Sequence, residues 1–135
     1  MEDPRWDAVV IGGGAAGLSA ALMLGRARRR TIVVDAGSPR NRFSAHVHGV
    51  LGHDGADPAE LLARGRAEAA GYGVVTRTAA VERVDEIADG VAVLLADGGT
   101  IEARAAIVAT GTTDELPGIP GLAGRWGRSV LHCPY

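Results

Sequence analysis

Asp7-Ala8-Val9-Val10-Ile11-Gly12-Gly13-Gly14-Ala15-Ala16-Gly17-Leu18 is the stretch that decides the fold. Residues 7–11 form a short, mostly apolar run of the kind that makes a buried strand, and the small residues 12–17 lead into a helix-forming run over 18–28. Thr31-Ile32-Val33-Val34 is a second β-branched run, and it ends in Asp35. Strand, tight turn, helix and strand make a βαβ unit, whose two strands run parallel with a right-handed connection.

The turn has the spacing Gly-x-Gly-x-x-Gly at Gly12, Gly14 and Gly17, with Ala15 and Ala16 completing it. A diphosphate needs backbone N–H donors and the positive end of a helix dipole at contact distance, and a Cβ at Gly12 or Gly14 would hold it away. Gly17 answers a different need, the close approach of helix to strand. In a chain with 20 glycines the spacing alone is a weak signal. Its setting is specific: it follows a strand, opens a helix, and is followed at the end of the next strand by Asp35, where a carboxylate would accept hydrogen bonds from an adenosine ribose. That carboxylate would repel a ribose 2′-phosphate, which disfavours NADP at this place and leaves FAD or NAD. The purely structural alternative for Asp35 is a turn cap paired with Ser38.

Further along, residues 37–55 are rich in Gly, Ser, Pro, Asn and His without periodicity and read as a long irregular loop. Asp57-Pro58-Ala59-Glu60 gives a helix start, with Asp57 as N-cap, Pro58 at the first helical position and Glu60 placed for a capping box; the helix should end near Gly71. Residues 73–76 read as a third parallel strand. Residues 80–84, 91–95 and 100–103 alternate as a small antiparallel sheet would, with Asp97-Gly98 as hairpin turn. The apolar run 105–109 reads as a separate central strand covered on both faces, stopping at Thr110-Gly111, and residues 117–127 make a turn-rich excursion. The expected fold is α/β: one Rossmann-like domain over residues 1–135, with a parallel sheet, flanking helices and a small antiparallel β-meander insertion.

Composition supports a packed domain, with 47% apolar and 22% charged residues and a core built from Val, Leu, Ile and Ala. A formal charge of -2 gives no electrostatic reason to expect nucleic acid or an acidic membrane as partner. The basic cluster Arg26, Arg28, Arg29 and Arg30 falls where the first helix should end and complements its dipole. No apolar run approaches the roughly 20 residues that span a bilayer, and the N-terminus lacks the order of a signal peptide, so a cytoplasmic protein is expected. Cys133, the single cysteine, has no internal partner. His46, His48 and His53 invite a metal reading, but no cysteine lies nearby to complete a site, and no metal is expected.

Three pieces, in order, resemble the flavin-dependent pyridine nucleotide disulfide oxidoreductases, and among them the thioredoxin reductase-like proteins: Val9-Val10-Ile11 with the glycine turn, Ile107-Val108-Ala109-Thr110-Gly111, and His132-Cys133-Pro134-Tyr135. The resemblance implies FAD as the dinucleotide, since in that family an apolar strand ending in Ala-Thr-Gly returns to the flavin site. It further implies that Ala80 and Val81 meet the adenine, that Thr110 and Gly111 close the flavin site, and that the loop with Arg42, Gly49 and Gly52 passes the flavin. Cys133 would be the first of two redox thiols two residues apart, the sequence ending one position before the second. The resemblance also implies NAD(P)H as electron donor, a small-protein or small-molecule disulfide or dithiol substrate, and a homodimer. The NAD(P)H-binding domain and the returning C-terminal segment of such proteins are not in these residues, so the fold is incomplete by that measure. The His-Cys-Pro-Tyr ending resembles a subgroup of dithiol oxidases in which oxygen reoxidises the flavin. A nucleotide-binding module without turnover, and a short NAD-binding regulatory domain, are the alternatives of other classes.

Overall fold

The structure, a computed structural model, describes residues 5–132. Strand β1 (Trp6–Ile11) leads through the glycine turn into helix α1 (Ala15–Arg26), and β2 (Thr31–Asp35) lies parallel to β1, with Val10 opposite Val33. Helix α2 (Pro58–Gly71) returns the chain to β3 (Val75–Thr78), parallel to β2. Strands β4 (Val81–Ile87), β5 (Gly90–Leu95) and β6 (Thr100–Val108) complete one six-stranded sheet of order β3-β2-β1-β6-β5-β4. The expected α/β architecture is present, with a parallel core and an antiparallel meander.

Strand β6 corrects the expectation of two separate strands over 100–103 and 105–109. It is continuous: its first half pairs antiparallel with β5 and its second half parallel with β1, so Ala103 faces both Val91 and Trp6. Alternation then divides the core. Val9, Ile11, Ile32 and Val34 point to one face and pack with Val93, Leu95 and Ile101 of the meander; Val10 and Val33 point to the other, against Ala21 of α1 and Ala69 of α2. Over the end of β6 neither face is fully covered: Ile107, on the side of α1 and α2, is half-buried, and its neighbour Val108, on the opposite side, is 69% exposed. Full coverage of this strand on both faces was expected from its apolar run, and it is not found.

Smaller departures have local causes. Helix α1 begins at Ala15, earlier than the expected 18, because Leu18 N–H already bonds the Gly14 carbonyl (2.9 Å). Asp57 caps α2 as expected, accepting from the amides of Ala59 and Glu60, but Glu60 pairs with Arg64 one turn on, so the reciprocal half of the capping box is absent. The loop after β2 contains a short 3-10 turn, η1 (Arg40–Phe43), and the excursion after β6 contains the four-residue helix α3 (Leu122–Arg125). No helix among the described residues is long and apolar enough to cross a membrane.

Candidate functional site

Each glycine of the turn has a distinct steric reason. Gly12 has φ +108°, and a Cβ there would overlap the Ala109 carbonyl; one at Gly17 would overlap the Gly12 carbonyl. Both therefore serve the packing of turn, β6 and α1, and Gly12 is a glycine because of the chain itself rather than a ligand. Gly14 is the opposite case: a Cβ there meets nothing within 4 Å, so its open side is available for close approach. As N-cap of α1 it has no side-chain cap, and the first turn carries no acidic residue, which leaves amides and a positive dipole end uncompensated.

The turn is locked at both ends of its path beside β1. Gly12 N–H donates to the Val34 carbonyl (2.8 Å), and Ala109 N–H donates to the Ile11 carbonyl (2.8 Å), which sets the end of β6 beside the turn. Asp35 sits half-buried at the end of β2 and accepts the Gly13 amide on Oδ1 at 3.2 Å. This bond, rather than a cap with Ser38, is the one its side chain makes. A Cβ on Gly13 would lie 2.7 Å from Asp35 Cγ, so the middle glycine is what lets the carboxylate sit there. The Gly-x-Gly-x-x-Gly spacing treats Gly13 as a variable position; the signal that it is not lies in the third consecutive glycine.

These residues open onto a cleft of about 1060 Å³. Gly12, Gly14, Ala15, Asp35, Ala80, Val81, Thr110 and Gly111 all line it. Its far wall is fixed by Ala79 N–H on the Asp35 carbonyl (3.0 Å) and Ala96 N–H on the Ala80 carbonyl (2.9 Å). Ala16 and Gly17 do not line the cleft, since Gly17 is buried under the turn and Ala16 faces outward on α1. Arg42 and Gly49 do not line it either. Arg42 donates to the Pro39 carbonyl (3.0 Å) and stacks on Phe43 at 4.4 Å, and Gly49 N–H bonds Asp54 Oδ1 (2.9 Å). Cys133 lies outside the described residues.

The histidine loop does not gather its rings. His46 Nδ1 meets the Gly55 carbonyl (3.1 Å), while His48 lies beside Asp54 (3.4 Å). The Gly49 amide, with His48 assisting, holds the Asp54 carboxyl below the usual carboxylate range. Across the cleft mouth, Arg40 grips Asp114 in two hydrogen bonds of 3.1 and 2.7 Å and lowers its pKa. Nothing in the sequence pairs two residues so far apart.

A Gly-rich turn between parallel strands, opening a helix toward an acidic strand end and backed by a meander, defines a Rossmann-like α/β protein of the FAD-binding fold. The chain belongs to the pyridine nucleotide-disulphide oxidoreductase family, whose sequence pattern it matches over residues 6–133. It is 39% identical to the thioredoxin reductase tcpT of Claviceps purpurea, an alignment that takes in 96% of this chain and 41% of that protein. Among solved structures it is similar to HlmI, with 48% identity and a TM-score of 0.90 over 100% of this chain and 44% of that one. An oxidoreductase from Agrobacterium tumefaciens is similar at 45% identity, TM-score 0.87, over 97% of this chain and 45% of its own. The chain thus spans less than half the length of the relatives it matches.

Proposed function

We propose that this chain is the FAD-binding part of an NAD(P)H-dependent flavoprotein disulfide oxidoreductase resembling thioredoxin reductase. One observation carries the reading: the uncapped start of α1, the Gly13-anchored Asp35, the 80–81 segment and the 110–111 segment converge on one cleft. The residues fit a dinucleotide. Free amides at Gly14, Ala15 and Ala16 suit a diphosphate, Gly17 lets the helix start close to it, and Asp35 keeps Oδ2 for ribose hydroxyls. Ala80 and Val81 offer backbone to an adenine edge, and Thr110 with Gly111 borders the flavin side.

Bound flavin supplies two-electron transfer between a nicotinamide hydride and a dithiol/disulfide couple. Cys133, in His132-Cys133-Pro134-Tyr135, is the thiol we assign to that couple, with a small-protein or small-molecule disulfide as substrate. Arg42 and Gly49 belong to the loop we place beside the flavin. Family likeness supports a cytoplasmic homodimer. The His-Cys-Pro-Tyr ending favours a second direction of flow, oxidation of a dithiol with oxygen reoxidising the flavin.

Titration of the chain with FAD, followed by quenching of flavin fluorescence, tests the binding reading. Saturable binding that Asp35→Ala weakens about 10- to 100-fold is the expected result, a charged hydrogen bond being worth about 1.5–3 kcal/mol. A chain that binds NAD and not FAD would overturn it.

A further inference from the structure

The cleft contains three arginines, and they differ in one respect. Arg40 is engaged by Asp114, and Arg83 by Asp85 at 2.9 Å. Arg66 has no hydrogen bond or ion pair among the described residues, although it is half-buried. Its helix explains why. Glu60 is spent on Arg64, four residues later on the exposed side, whereas the helical neighbours of Arg66 are Leu62, Ala63, Ala69 and Ala70, none of which carries a side-chain acceptor. A half-desolvated guanidinium with no anion is a state that a chain retains at a cost.

Its position completes the observation. Gly65 packs on Leu18, and a Cβ there would come within 3.2 Å of Leu18 Cδ1, so α2 crosses α1 one turn above Gly14. Arg66 follows Gly65 directly and lines the same cleft as Gly14 and Ala15. The cation and the uncapped helix start therefore border one space, and the first turn of α1 contributes no acid of its own to satisfy either.

We propose that Arg66 is a binding residue for a phosphate oxygen of the dinucleotide, adding a charged side-chain donor to the backbone amides of the glycine turn. The assignment rests on the nucleotide reading above and specifies its ligand chemistry: the diphosphate, not the ring system, is what Arg66 selects. Guanidinium suits this task because it stays charged and presents paired donors.

The test compares dissociation constants for FAD, ADP and riboflavin in the wild-type chain, Arg66→Gln, Arg66→Lys and Arg64→Ala. Gln retains much of the stem, so packing is kept, and far-UV circular dichroism checks the fold. Arg66→Gln should weaken FAD and ADP about 10- to 100-fold and leave riboflavin within about twofold, while Arg66→Lys restores part of the loss and Arg64→Ala changes none of the three. Equal weakening of riboflavin overturns the diphosphate assignment, and unchanged FAD and ADP affinity in Arg66→Gln overturns the role altogether. A folded wild-type chain that binds neither FAD nor ADP fails the nucleotide reading itself and removes this proposal with it.

Discussion

A methyl group added at Gly14 and one added at Gly17 should separate binding from folding. Gly14 has open space beside it and a φ of -77°, which alanine also adopts, so Gly14→Ala costs stability only through poorer capping, about 1 kcal/mol or less. The same methyl stands where a phosphate would approach, so FAD affinity should fall by about tenfold or more, roughly the loss of one charge-assisted hydrogen bond. Gly17→Ala drives a Cβ into the Gly12 carbonyl and should cost about 1–3 kcal/mol or more in stability, whatever its effect on ligand. Thermal melts beside FAD titrations read both quantities; a destabilised Gly14→Ala with normal affinity would reverse the roles of the two glycines. Gly13→Ala should behave as a lesion of Asp35, since its Cβ lies 2.7 Å from Asp35 Cγ, and Asp35→Ala should add little to it in a double-mutant cycle. The spacing of the turn was legible in the sequence, but the division of labour among its glycines was not, because it depends on which carbonyl each Cα faces after folding.

Among the described residues, the segments that follow β2 and β6 meet at the Arg40–Asp114 pair and at Gly127, which lies so close to the Phe43 ring that an added Cβ would overlap it; Arg42 stacks on the same ring. Asp114 has its carboxyl lowered chiefly by the Arg40 hydrogen bond, with His132 and Arg42 adding to it. A lowered carboxylate stabilises above its unfolded value, about 3.9, and loses that contribution as pH falls through the lower folded value. The Arg40–Asp114 pair should therefore support the docking of the 112–132 excursion from neutral pH down to that range and lose its contribution below it, loosening the excursion by the modest amount a partly exposed ion pair supplies. With Trp6→Phe leaving Trp126 as the sole tryptophan, its emission against pH reads the docking, and Asp114→Asn should show the acid signal already at neutral pH. An Asp114→Asn profile that overlays the parent would remove the clasp. High salt should weaken it, both partners being partly in water. Locally encoded elements were legible: the Asp57-Pro58 helix start, the Asp97-Gly98 turn and the β-branched strands all rest on neighbouring residues. The clasp was not, nor was the union of 100–103 with 105–109, since each depends on partners brought together only by the whole sheet.

At the scale of the molecule, continuity of β6 makes the meander and the parallel core a single mechanical unit. Ala103 is fully buried and pairs with both halves, while Leu95 of the meander packs in one cluster with Val9, Ile11, Ile32 and Val34 of the parallel strands. An inserted antiparallel sheet with its own small core would unfold by itself; a meander whose core residues are those of the parallel strands cannot. Leu95→Ala, at a site only 2% exposed, should cost about 2–5 kcal/mol through lost burial and an unfilled cavity. Because the cluster is shared, that cost should appear in both halves. Trp6, at the start of β1 and packed on the same cluster, reports the parallel side once Trp126 is replaced by Phe, and far-UV circular dichroism reports the whole. The two melting curves should coincide in the parent and move down together in Leu95→Ala, as a cooperative two-state transition requires. If Trp6 kept its melting temperature while part of the dichroism signal was lost earlier, the meander would be an independent unit and the single-sheet account of this fold would fail.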